Sequence, residues 1–123
     1  MQKAGAGFPS PATDYIEEDM DLNVHLIKNA PATFVIRVQG KSMSSAGIYD
    51  GDLLIVDKSL KPKKFSTVIA NVNDELIVKN FVKEKDKQFL SSGSRSFKDR
   101  IPLESNPDVF IWGVVTYVIH SKY

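Results

Sequence analysis

The chain has no cysteine among its 123 residues. That excludes disulfides, thiolate zinc sites and cysteine nucleophiles, and it fits a reducing compartment. Long apolar runs are missing too: nothing approaches the ~20 consecutive residues of a membrane span. Lys3 has no apolar stretch behind it that could make a secretory signal. A cytoplasmic protein without membrane association is therefore expected. Charge of one sign is also lacking, since 16 basic and 15 acidic side chains leave a net charge of +1. A nucleic-acid binder of this size carries a clear basic excess, so direct sequence-specific DNA binding is not expected.

Histidine is scarce, with only His25 and His120, which gives a Ser–His–Asp triad few places to form. No glycine loop suited to phosphate is present. Asp50 and Asp52 flank Gly51, but the other ligand positions of a calcium loop are missing, so a turn that launches the next strand is the better reading. Glu17, Glu18, Asp19 and Asp21 read as helix-start charge rather than a metal site. No metal and no cofactor is expected.

What is present is an ordinary globular composition, 42% apolar and 25% charged, with enough chain for one core. Residues 1–13 are glycine-, alanine- and proline-rich with Lys3 the single charge, and Pro9 and Pro11 stiffen them into an extended arm. The domain proper spans 14–123. Asp21 can cap a short helix whose apolar face is Leu22, His25 and Leu26, ended by Pro31. Strands follow at Thr33–Val38, Leu53–Val56, Thr67–Val72, Glu75–Val82, Lys87–Leu90 and Val109–Ile119. Asn73-Asp74 marks a tight hairpin between the third and fourth. Lys58, Lys61, Lys63 and Lys64 read as a solvated loop. The fold class is mainly β, with antiparallel sheets and one small helix.

Two residues offer chemistry. Lys79 shares one face of its strand with Ile77 and Phe81. Apolar surroundings disfavour an ammonium, and a neutral amine is a general base able to take a proton from a hydroxyl. The plainer alternative is a strand lysine on a wet face with only its stem covered. Ser42 lies 37 residues earlier, between Gly40 and the small residues Ser44-Ser45-Ala46-Gly47. Such a turn can expose a hydroxyl and free backbone N–H groups to hold an oxyanion; the alternative is a hydrophilic loop serine.

With these residues in view the sequence resembles the LexA/UmuD family of self-cleaving serine peptidases, and most closely its UmuD-type members. The resemblance rests on five segments in order: Gly7-Phe8-Pro9-Ser10-Pro11-Ala12 with Asp14-Tyr15; Asp21-Leu22-Asn23; Gly40-Lys41-Ser42-Met43 with Gly47 to Asp57; Glu75 to Lys79; and Trp112 to Thr116. It implies the curved antiparallel sheets of the LexA C-terminal peptidase domain. It also implies Ser42 as nucleophile, Lys79 as base, Ala6–Gly7 as scissile bond, and the backbone N–H groups of Ser42 and Met43 as oxyanion donors. In such a family the cut is stimulated by RecA filaments on single-stranded DNA. The trimmed homodimer then joins a UmuC-type Y-family polymerase for error-prone translesion synthesis in SOS mutagenesis. The alternative is a processed, catalytically idle module for dimerisation and polymerase binding. A signal-peptidase-like enzyme fits less well without an anchor.

Departures from the family pattern are Lys41 before the nucleophile, Phe65-Ser66 in place of the usual Gly-Asp, and only six residues ahead of Gly7. Without a helix-turn-helix unit ahead of the arm, the chain does not resemble a repressor.

Overall fold

In the computed structural model the described residues are 21–40, 47–92, 100–104 and 106–123. The expected arm, with Ala6 and Gly7, lies outside them. Asp21 caps helix α1 (Leu22–Leu26) as expected, its carboxylate accepting the Asn23 N–H at 3.0 Å. The expected apolar helix face is not buried. Leu22 and His25 are exposed, Leu26 is half-buried, and no residue of α1 is buried. Five residues make little more than one turn, too short to lay a stripe against a core. The helix also stops before Pro31, at Ile27, and the proline sits instead in a single 3-10 turn, Ala30–Ala32.

Among the described residues seven strands then follow: β1 (Thr33–Arg37), β2 (Leu53–Asp57), β3 (Thr67–Val72), β4 (Glu75–Glu84), β5 (Lys87–Ser91), β6 (Ile101–Pro102) and β7 (Val109–Ile119). They form one antiparallel sheet in the order β1-β2-β7-β3-β4-β5-β6. The third and last strands have the bounds their composition gives. β6 went unread, because two residues with a proline show no period of two. The β3–β4 hairpin turns at Asn73 (φ 51°) and Asp74 (φ 70°), the pair of left-handed residues that matches the twist of a two-residue turn.

The long strand β7 runs between β2 and β3 and carries both irregularities of the sheet. Its pairing skips Thr116 opposite Ile55/Val56 and Trp112 opposite Ile69/Ala70. Each extra residue bends and twists the strand locally. The Thr116 hydroxyl is taken up by the Ile55 carbonyl at 3.2 Å. Gly113 lies against β2 so closely that a Cβ would meet Val56 Cγ1 at 2.6 Å. Only glycine fits that approach.

The sheet buries side chains in two groups. Val68, Ala70, Phe81, Leu90, Val109 and Val114 form one. Val38, Ile48, Leu54, Val56 and Ile69 form the other, with Val78 and Trp112 packed on it. Strand alternation sorts them: Ile69 goes one way, and its neighbours Val68 and Ala70 go the other. The two groups thus meet β3 on opposite faces.

Candidate active site

Ser42, Met43 and Lys41 lie outside the described residues, but both stems of their segment are described. On the near side Gly40 has φ +82°, and on the far side Gly47 has φ +74°, both in the left-handed region that favours glycine. The Gly40 N–H donates to Asp50 Oδ1 at 2.9 Å. Val38 N–H donates to the Asp52 carbonyl and Gly51 N–H to the Val38 carbonyl, both at 2.8 Å. Arg37 Nη1 adds a bond to the Gly51 carbonyl at 3.0 Å. Asp50-Gly51-Asp52 is therefore more than a strand launcher. It is a clasp that ties the end of the β1 segment to the start of β2, while Val38 and Ile48 are buried beneath it.

Lys79 sits mid-way along β4, opposite the fully buried Val68 of β3. Ile77 and Phe81, on its face of the strand, both belong to the Val68 group. Lys79 itself is half-buried. Its amine does not meet a carboxylate among the described residues; Nζ donates to Ser92 Oγ at 2.5 Å. The register explains the meeting. β4 and β5 pair Phe81 with Leu90 and Asn80 with Ser91, and one step further brings Lys79 opposite Ser92. Sequence reasoning passed over Ser92, since nothing in a Ser/Gly/Arg-rich stretch marks one hydroxyl among several.

The Phe65-Ser66 departure leaves the turn before β3 intact at a cost. Phe65 takes φ +70°, a conformation that is a genuine outlier for a bulky side chain. The turn survives because Phe65 N–H and Phe81 N–H exchange bonds with the Phe81 and Ser66 carbonyls, each at 2.8 Å. Lys63 N–H is held by Ser66 Oγ at 2.8 Å. Of the basic run, Lys58, Lys61, Lys63 and Lys64 are all exposed, and Lys58 Nζ lies 4.5 Å from the Trp112 ring centroid.

A second polar pair also escaped the sequence reading. His120, just past β7, places Nδ1 2.5 Å from Asp52 Oδ1. Asp52 is 1% exposed, and its other oxygen accepts the Tyr49 N–H at 2.9 Å. Burial by itself would raise this carboxyl. The His120 hydrogen bond, the Tyr49 N–H and the His120 charge outweigh burial and hold it below the ordinary carboxylate value of 3.8. Strand β7 is paired to β2 through Leu53–Ile119, so residues 68 apart in sequence meet at one corner. No periodicity links them. Among the described residues no three histidine or acidic side chains gather as metal ligands. No helix there is long and apolar enough to cross a membrane.

Comparison with known proteins decides the lineage. Peptidase S24-like, a family of peptidases, matches residues 1–116. The chain belongs to that family. Within this LexA/UmuD lineage the chain is 43% identical to Protein ImpA of Salmonella typhimurium, over 94% of the chain and 77% of ImpA. It is 36% identical to Protein MucA of Escherichia coli, over 95% of the chain and 80% of MucA. It is 35% identical to the LexA repressor of Clostridium acetobutylicum, over 69% of the chain and 42% of the repressor. The mainly β sheet with one short helix is the architecture expected for the peptidase domain of this family.

Proposed function

We propose that this S24-family protein cuts its own arm between Ala6 and Gly7 with a Ser42–Lys79 dyad. The observation that carries the reading is Lys79 itself: a half-buried strand amine, seated beside an apolar group, whose side-chain partner is a neutral hydroxyl rather than a carboxylate. A hydroxyl, unlike a carboxylate, places no negative charge beside the nitrogen. The clasp at Asp50–Asp52 supports Ser42 as nucleophile by fixing both stems of its segment.

Lys79 Nζ takes the Ser42 hydroxyl proton as Oγ bonds to the Ala6 carbonyl carbon. The oxyanion is met by the backbone N–H groups of Ser42 and Met43. The C–N bond to Gly7 then breaks and Lys79 returns the proton to the leaving nitrogen. Water hydrolyses the Ala6 ester by the same proton route, restoring the Ser42 hydroxyl. Holding the arm in the same molecule supplies a large effective concentration, which suits an enzyme with one substrate.

The trimmed form would serve SOS mutagenesis as a homodimer that joins a Y-family polymerase of the UmuC type. RecA filaments on single-stranded DNA would stimulate the cut. ImpA, MucA and LexA as relatives support that setting. A second reading, an idle binding module, draws on the outer strand β1. Among the described residues β1 has a strand neighbour on one side only, and it exposes Phe34 and Val35.

Intact mass followed over time as pH is raised separates the two, for the protein beside Ser42→Ala and Lys79→Ala. Loss of Met1–Ala6 that climbs with pH in the unmodified protein alone supports the dyad. Unchanged mass in all three, with the fold retained, favours the binding module.

A further inference from the structure

We propose that Ser92 is the positioning residue of the Lys79 base: its hydroxyl oxygen accepts one N–H of the amine and so restricts the direction of the nitrogen lone pair. The proposal rests on the dyad reading above. A lysine stem has four flexible carbons and about 2 kcal/mol of rotamer entropy, so a strand position alone does not fix where Nζ points. In this sheet two restraints do. The stem lies beside the Val68 group, and the tip is held by Ser92 Oγ at 2.5 Å.

The hydroxyl is placed by the sheet and not by chance approach. Ser91 is 1% exposed and paired with Asn80, so the next residue is delivered opposite Lys79 at the point where β5 ends. Ser92 is itself half-buried.

The chemistry suits a base that must change charge during the reaction. A neutral amine has two N–H groups and one lone pair. Giving one N–H to Ser92 restricts the lone pair to a narrow range of directions. After the amine takes the nucleophile's proton it has three N–H groups. One stays on Ser92, and another is free to return its proton to the leaving nitrogen. The hydroxyl accepts in both states, so the restraint persists through the cycle.

The test uses the full chain with Ser92→Ala, Ser92→Thr, Ser42→Ala and Lys79→Ala. Arm loss is read by intact mass, the activated serine by its labelling rate with a fluorophosphonate probe, and the fold by its thermal midpoint. Ser92→Ala is expected to slow both arm loss and labelling on the order of 10-fold or more, since a small misplacement of a catalytic group has that scale of effect. The thermal midpoint stays unchanged, Ser92→Thr restores most of the rate, and the probe maps to Ser42. Wild-type cutting by Ser92→Ala, with Lys79→Ala inert, overturns the positioning role and leaves the dyad standing. A slow Ser92→Ala with a lowered midpoint and no recovery in Ser92→Thr also overturns it, in favour of a structural part. Probe attached at Ser92 overturns it by making that residue the nucleophile. Cutting retained in Lys79→Ala removes the dyad reading first and this proposal with it.

Discussion

Lys79 with Ser92 and Asp52 with His120 are both side-chain polar pairs at 2.5 Å, yet the proposed mechanism gives them different parts. Asp52 is buried, and its oxygens are occupied by the His120 ring and the Tyr49 N–H. Its backbone closes the clasp with Val38 as well. Each oxygen of that buried carboxylate has a partner, and both bonds tie the corner where β2 begins and β7 ends. Lys79 is half-buried, and its amine meets one neutral hydroxyl. If the proposed dyad holds, a short polar contact is not itself a sign of catalysis. What matters is how many of the group's bonding sites remain open.

The sharpest way to break this contrast is Lys79→Met, which keeps the apolar stem and removes the amine. Arm loss by intact mass is expected to fall at least ~100-fold, the scale of a missing general base, while the thermal midpoint holds. A midpoint that dropped instead would make Lys79 structural like Asp52.

The converse change is Asp52→Ala, expected to lower the midpoint more than His120→Gln, because it also strands the Tyr49 N–H. His120→Gln should leave the cutting rate near that of the unmodified protein, since no step passes through the imidazole. The pair also sets a pH limb. Asp52 is depressed in the folded state, so its contribution is fully present above its unfolded value near 3.8 and is lost as pH falls through the lower folded value. Acid unfolding followed by circular dichroism should show that limb flattened in His120→Gln.

Two backbone changes test each region without touching a polar group. Gly113→Ala drives a methyl into Val56 between β2 and β7, the strands that bring Asp52 to His120. A loss of about 1–3 kcal/mol in urea unfolding is expected, the range for overpacking. Phe65→Gly acts on the Lys79 side, where Phe65 is bonded to Phe81 of β4 at positive φ. It should stabilise the protein by about 1 kcal/mol, the left-handed cost of a side chain. If Phe65→Gly weakened the fold, the Lys64 contact with its ring, at 5.2 Å, would be the stronger effect.

Much of the architecture was legible. Strands β3 and β7 were read to the residue, because β-branched runs ended by turn residues are local signals. The Asn73-Asp74 hairpin was legible for the same reason. Helix α1 was found through its Asp21 cap, but its apolar face was misjudged, since whether Leu22 meets a core depends on what lies across from it. Of the candidate site, Lys79 was visible through its apolar neighbours on one strand, and the Ser92 and His120 contacts were not.

The sequence by itself determined which segments are strands, β6 excepted, where the chain turns, that no thiol chemistry is possible, and which lysine sits among apolar neighbours. These follow from side-chain volume, backbone freedom and alternation within a few residues. Only the tertiary structure decided that Ser92 faces Lys79 and that His120 closes on Asp52. The first depends on the register between β4 and β5, and the second on β7 lying beside β2. Register and strand order are fixed by burying two apolar groups on one sheet at once, a condition that no short window of sequence contains.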